Sequence, residues 1–270
     1  MKQYIELLSD ILVNGQPRHN RTGIDTIEVF DRHFEHDMAT GFPLLTTKKV
    51  HWQSVLAELL MFVNGRANTD FLHKLGCTIW DEWADAHGNL GPIYGVQWRH
   101  WYTLDENDNM VRVDQLNELV HLLKNDPMSR RQLVIAWHPG QNSEMALPPC
   151  HWAFSTYVTN DHRMHLKWHQ RSVDAFLGLP FNIASYATLL LMLCKFTGYK
   201  PGKLIGDLDC VHLYEDHVPM AEEQVLREPR KLPELLVNHD EPEDWHDFEV
   251  TDFVLTGYNP HPAIKANVAV

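Results

Sequence analysis

The sequence predicts a single α+β domain. Apolar residues recur at helical spacing in well-separated stretches, and alternating β-rich runs cluster in the second half of the chain. No repeat, linker or low-complexity segment divides them, so residues 1–270 read as one unit. Tyr4, Ile5, Leu7, Leu8, Ile11 and Leu12 share a helical face, and Asn14-Gly15 supplies the stop. After Arg21-Thr22-Gly23, alternation over 26–30 predicts a strand. Gly41-Phe42-Pro43 breaks the chain, and the periodicity over 50–63 predicts a helix ending at Asn64-Gly65. Residues 114–123 read as the next helix, closed by Asn125-Asp126-Pro127. β-rich runs follow at 132–137, 151–158 and 164–168, with Asn160-Asp161-His162 as a hairpin turn between the last two. A polar cluster then leads into a long apolar helix, 183–196, that stops at Gly198. Further strands are predicted near 208–213 and 248–255. Strand order does not follow from the pattern.

The chain has 270 residues, 44% apolar and 22% charged, a globular composition that excludes a disordered chain. Its 23 basic against 36 acidic residues leave a net charge of −13, which argues against nucleic acid or an anionic membrane as partner. A local basic pocket is still compatible with that balance. Cys77, Cys150, Cys194 and Cys210 are widely spaced without a C-x-x-C pair, which fits a reduced compartment. The start, Met1-Lys2-Gln3-Tyr4, lacks the apolar run of a signal peptide, and the longest apolar stretch, 187–194, is too short to span a bilayer. A cytoplasmic protein is the expectation.

Cys150 lies in Leu147-Pro148-Pro149-Cys150-His151, on a loop stiffened by two prolines just before a strand. Such a cysteine is either a buried small hydrophobe or a nucleophile, and the second role needs nearby cations to favour thiolate. Arg21, Arg130-Arg131 and Arg171-Ser172 are read either as solvated surface or as a phosphate clamp that also depresses the thiol pKa. In the run from Gln170 to Tyr186, Asn182 is by default a helix N-cap. Its carboxamide equally complements the O4 and N3–H edge of uracil. Glu58 sits among Val55, Leu56, Leu59, Leu60 and Phe62, where an uncompensated carboxylate is costly and a tuned acid–base role explains the placement. A Cys150-His151 hydrolase is disfavoured because adjacent strand residues point to opposite faces.

Ordered motifs carry a resemblance over essentially the full length. They run M-K-Q-Y at Met1, N-R-T-G at Asn20, F-P-L-L-T-T-K-K at Phe42, E-L-L at Glu58 and W-D-E-W at Trp80. G-P-I-Y-G at Gly91, S-R-R at Ser129, P-P-C-H at Pro148, Q-R-S at Gln170 and H-L-Y at His212 complete the series. The chain resembles the thymidylate synthases and related deoxypyrimidine hydroxymethylases. The resemblance implies a mixed β-sheet packed with helices and a homodimer formed through the sheet. It implies a methyltransferase converting dUMP to dTMP, with 5,10-methylenetetrahydrofolate as co-substrate and no metal. By the same resemblance Cys150 is the nucleophile, and Glu58, Tyr94, Asp174 and Asn182 assist catalysis. Arg21, Gln170, Arg171, Ser172, Asp174, Asn182, His212 and Tyr214 match dUMP ligands, with Arg130 and Arg131 donated by the neighbouring subunit. His51, Trp80, Asp174 and Ala269 match the folate region, and Val270 closes over it. Trp80 and Trp83, at helical i, i+3 spacing, are also plausible core residues.

Four positions depart from the family pattern: Met61 for tryptophan, His169 for tyrosine, Cys210 for aspartate and Asn267 for proline. They open an alternative, a phage-type dUMP hydroxymethylase in which water rather than hydride adds to the exocyclic methylene. A catalytically silent nucleotide- or RNA-binding protein is the third reading, and Cys150, Glu58, Tyr94 and Asn182 argue against it.

Overall fold

The computed structural model describes residues 1–268. Helix α1 (Lys2–Asn14) is followed by β1 (Gln16–Arg18), β2 (Thr26–Asp37), α2 (Trp52–Val63), α3 (Thr69–Lys74) and α4 (Tyr94–Arg99). Next come β3 (Trp101–Leu104), β4 (Met110–Val113), α5 (Gln115–Asn125), β5 (Leu133–Ile135), β6 (His151–Val158) and β7 (Arg163–Asp174). The chain continues through α6 (Gly178–Thr197), β8 (Lys200–Tyr214), α7 (Val218–Val225), β9 (Glu234–Val237) and β10 (Phe253–Thr256). The expected α+β class with a mixed sheet is observed.

Six strands form the main sheet in the order β1-β2-β8-β7-β6-β5. Only β7 and β8 run parallel, and α6 is the crossover between them. That arrangement follows from topology, since parallel neighbours need a long connection whereas β6 and β7 need only a hairpin. Helix α6 is buried along most of its length, from Leu179 to Phe196, so it is apolar on nearly every side. By length and hydropathy it alone among the described residues also passes as a membrane span, although 78% of the apolar window is inside the protein core. Gly198, in the left-handed conformation at φ 75°, ends it and donates to the Cys194 carbonyl.

Several expectations are corrected. The polar cluster expected after the third β-run lies inside β7, because β6 and β8 pair with it through Asp174 on one side or the other. Strand β8 begins at Lys200 rather than near 208, and two glycines let it pass beneath β7 side chains. A Cβ at Gly202 would meet His165 Nδ1 at 2.1 Å, and one at Gly206 would meet the Trp168 ring at 2.5 Å. Helix α6 starts at Gly178 with Pro180 in its first turn, so Asn182 lies within the helix and is not its N-cap. The last strand shrinks to Phe253–Thr256, preceded by short 3-10 turns. Trp80 and Trp83 sit in turns rather than a helix.

Candidate active site

A cleft of about 640 Å³ opens where β6, β7 and β8 meet the loop after β1. Cys150, Arg21, Arg171, Ser172, Asp174, His212 and Tyr214 all line it. The structure thus gathers most of the expected nucleotide ligands around the expected nucleophile. Cys150 immediately precedes β6, and its carbonyl accepts the Arg171 N–H at 2.9 Å, which continues the ladder with β7. The Arg171 guanidinium donates to the carbonyls of Pro149 (2.9 Å) and Pro148 (3.0 Å) and lies over the Trp137 ring. Arg171 therefore fixes the loop that carries Cys150 and still has donors for an anion.

Burial pushes the Cys150 thiol above its ordinary pKa, against the pull of Arg171 and Arg21 and with Asp174 adding to the rise. The expected depression is not observed: within one protomer desolvation outweighs the arginines, and the group rests as a thiol. His151 is no base for it. Its Nδ1 pairs with the Tyr186 hydroxyl at 2.8 Å, and burial pulls its pKa down to about 3, so the ring is neutral.

Behind the Cys150 backbone lie α2 and α4. The Tyr94 hydroxyl accepts the Cys150 N–H at 2.9 Å, while its ring stacks on His151 and Phe62. Glu58 accepts the Trp80 indole N–H at 2.8 Å. Its carboxyl keeps a narrow opening to solvent, yet desolvation by the apolar surroundings pushes its pKa up to about 7, with the indole bond opposing. Trp80, 7% exposed, packs edge-on against Phe62, Tyr94 and Trp83. Asp174 accepts the N–H groups of Phe176 and Leu177 at 3.0 Å, which orients the turn into α6.

Other expected residues do not line the cleft directly. Asn182 is half-buried, one turn past Gly178, and accepts from Gln170 Nε2 at 3.0 Å. Gln170 is buried beside it. His51 is exposed ahead of α2, bonded to Ser54. Arg130 and Arg131 are exposed between α5 and β5, and Arg131 borders a shallow groove with Leu133 and Ile135 instead. Ala269 and Val270 lie outside the described residues. Of the four departures, Cys210 lines the cleft, whereas Met61 is fully buried in the core. His169 pairs with Asp207 and lies against Trp152, and the Asn267 carbonyl accepts from His217 at 2.7 Å.

Sequence reasoning missed Lys48. Its buried ammonium donates to the Phe176 carbonyl at 2.5 Å and lies over the Phe176 ring. Desolvation pulls its pKa down to about 7 despite Asp174. Two adjacent lysines after Thr46-Thr47 carry no signal of burial, so only the fold reveals it. Among the described residues no group of three or more His, Cys, Asp or Glu side chains is arranged to hold a metal ion.

A thiol in an arginine-lined cleft, with a carboxyl of raised pKa in the adjoining core, fits chemistry on an anionic substrate. The sequence model of the thymidylate synthase family matches residues 2–270, essentially the whole chain. The protein belongs to the thymidylate synthase family, and is thus a folate-dependent one-carbon transferase of the dUMP-methylating or hydroxymethylating kind.

Proposed function

We propose that the protein is the methylating member of this pair: it converts dUMP to dTMP and 5,10-methylenetetrahydrofolate to dihydrofolate. The Cys150 sulfur adds to C6 of the pyrimidine, which makes C5 a nucleophile toward the folate methylene. Loss of the C5 proton and elimination of tetrahydrofolate leave an exocyclic methylene. A hydride from tetrahydrofolate reduces that methylene, and the sulfur departs. Arg21, Arg171 and Ser172 are assigned to the phosphate, His212 and Tyr214 to the sugar, and Asn182 to the base. Glu58 and Tyr94 handle protons, while Asp174, His51, Trp80 and Ala269 serve the folate side.

The observation that supports hydride over water is the apolar packing of Trp80 and Glu58 around Tyr94, whose hydroxyl pairs with the Cys150 N–H. Trp80 is nearly inaccessible, is tied to Glu58 through its indole N–H, and packs against Phe62 and Tyr94. Dry packing of this kind next to Cys150 disfavours water near its sulfur. Met61 does not open it, since it is fully buried in the core, and His169 is paired with Asp207. An anaerobic reaction with both products resolved by mass tests the reading. Dihydrofolate with dTMP is expected, whereas tetrahydrofolate with 5-hydroxymethyl-dUMP assigns the alternative activity.

We also read the face of the sheet away from α6 as the surface for a second copy. Leu133 and Tyr157 are more than half exposed there, and Arg130 and Arg131 have no place in their own protomer's cleft. Sedimentation of a dimer supports this, and an active monomer contradicts it. Four free cysteines among the described residues agree with a cytoplasmic location.

A further inference from the structure

We propose that Trp168 is a positioning residue for base specificity: through Gln170 it fixes the Asn182 amide so that its NH2 faces a carbonyl at pyrimidine position 4. This rests on the nucleotide reading above and extends it to a residue outside the ligand set. The two ends of a carboxamide are nearly isosteric, so their orientation must be argued from their neighbours. Here the neighbours decide. The Trp168 indole N–H can only donate, and it lies 3.1 Å from Gln170 Oε1. On the other side, Gln170 Nε2 lies 3.0 Å from the Ser172 carbonyl, which can only accept. Its second hydrogen goes to Asn182 Oδ1 at 3.0 Å. Asn182 therefore directs oxygen toward Gln170, and among the described residues its NH2 has no protein acceptor. A donor at that point complements the carbonyl of uracil and opposes the amine of cytosine.

The anchor is itself immobilised. Trp168 is fully buried, stacks on Tyr186 at 5.4 Å and tilts against Phe34 at 5.8 Å. Gly206 makes the space for its ring, because a Cβ there would come within 2.5 Å. Tyr186 is held in turn by His151 at 2.8 Å. Without the indole donor, Gln170 Oε1 becomes an unpaired buried acceptor, and the side chain leaves its seat to find water. Asn182 then loses the donor that orients it.

The test compares dissociation constants for dUMP, dCMP and deoxyribose 5-phosphate by calorimetry. Wild type is set against Trp168→Phe, and against a chain carrying benzothienylalanine at 168, where sulfur replaces the N–H at constant shape. Both changes are expected to lower the dCMP-to-dUMP ratio about tenfold and to leave deoxyribose 5-phosphate unchanged. Gln170→Leu lowers the ratio as well, and Trp168→Phe adds nothing to it. An unchanged ratio in the benzothienylalanine chain overturns the proposal, as does equal weakening of all three ligands, which marks a packing role alone. If Trp168→Phe does not fold, the benzothienylalanine chain decides. A wild type that binds neither nucleotide fails one step earlier, at the nucleotide reading, and takes this proposal with it.

Discussion

The region around Cys150 has two halves that solve the same electrostatic problem in opposite ways. On the β7–β8 side, Arg21 and Arg171 remain accessible, and Arg171 is positioned by backbone carbonyls of the nucleophile loop. On the α2–α4 side, Glu58, Tyr94 and Trp80 are set among aromatic rings with few polar partners. The first half holds charges ready for an anion. The second uses desolvation to keep a carboxyl protonated near neutrality. Cys150 lies at the seam, bonded by its backbone to both Tyr94 and Arg171. Burial overrides the arginines there, so proximity to positive charge does not by itself make a thiolate.

The comparison can be broken first at Glu58. Glu58→Gln keeps the shape and removes the titration, and kcat is expected to fall by roughly 10²–10⁴-fold with little change in dUMP affinity. The limb near pH 7 in the pH–rate profile disappears with it. Steady-state kinetics across pH 5–9 check both, and an unchanged kcat would leave the apolar half without chemical work.

The same variant sharpens the comparison through stability. The folded-state pKa of Glu58 is raised above its ordinary value of 4.5 to about 7, so the folded state binds more protons between those limits. Stability from this group is thus lost as pH rises from about 4.5 through about 7. Glu58→Gln should be more stable than wild type at pH 8 by roughly 1–3 kcal/mol, and the gain should vanish below pH 4.5. Urea titrations at the two pH values read the difference.

Arg171→Lys tests the polar half. Lysine keeps the charge but loses the planar fork, so the KM for dUMP should rise roughly tenfold or more. Because the Pro148 and Pro149 carbonyls lose their donors, kcat should fall too. An effect on KM alone would show that the loop stands without its clamp. Arg21→Ala should have the smallest effect, a rise in KM of roughly threefold to tenfold that fades at high salt, because Arg21 is exposed. Salt-insensitive loss would mean that Arg21 has a structural role instead.

The two halves also differed in how far the sequence revealed them. Cys150 between its prolines, Arg21, Arg171 and Ser172 are local signals that line one cleft, whereas Arg130, Arg131 and Gln170 do not line it. Glu58 was legible because a carboxylate in an apolar helix run violates the pattern. Lys48 and Trp168 were not, since their roles depend on partners far along the chain, Phe176 and Tyr186, that no local spacing encodes. Of the two readings of Asn182, the cap does not hold, because the helix starts at Gly178 and Pro180 fits its first turn. The long strands β7 and β8 were shortened as well. Pro201 and the polar residues Ser172 and Asp174 resemble loop, and pairing between β7 and β8 keeps them extended.

The most direct test of the whole account is the intact mass of the denatured protein after incubation with 5-fluoro-dUMP and methylenetetrahydrofolate. The expected result is a mass increase equal to both ligands in wild type, mapped to the peptide containing Cys150 and absent in Cys150→Ser. A wild type that carries neither ligand, or a Cys150→Ser protein that still carries both, would contradict the assignment of Cys150 as the nucleophile.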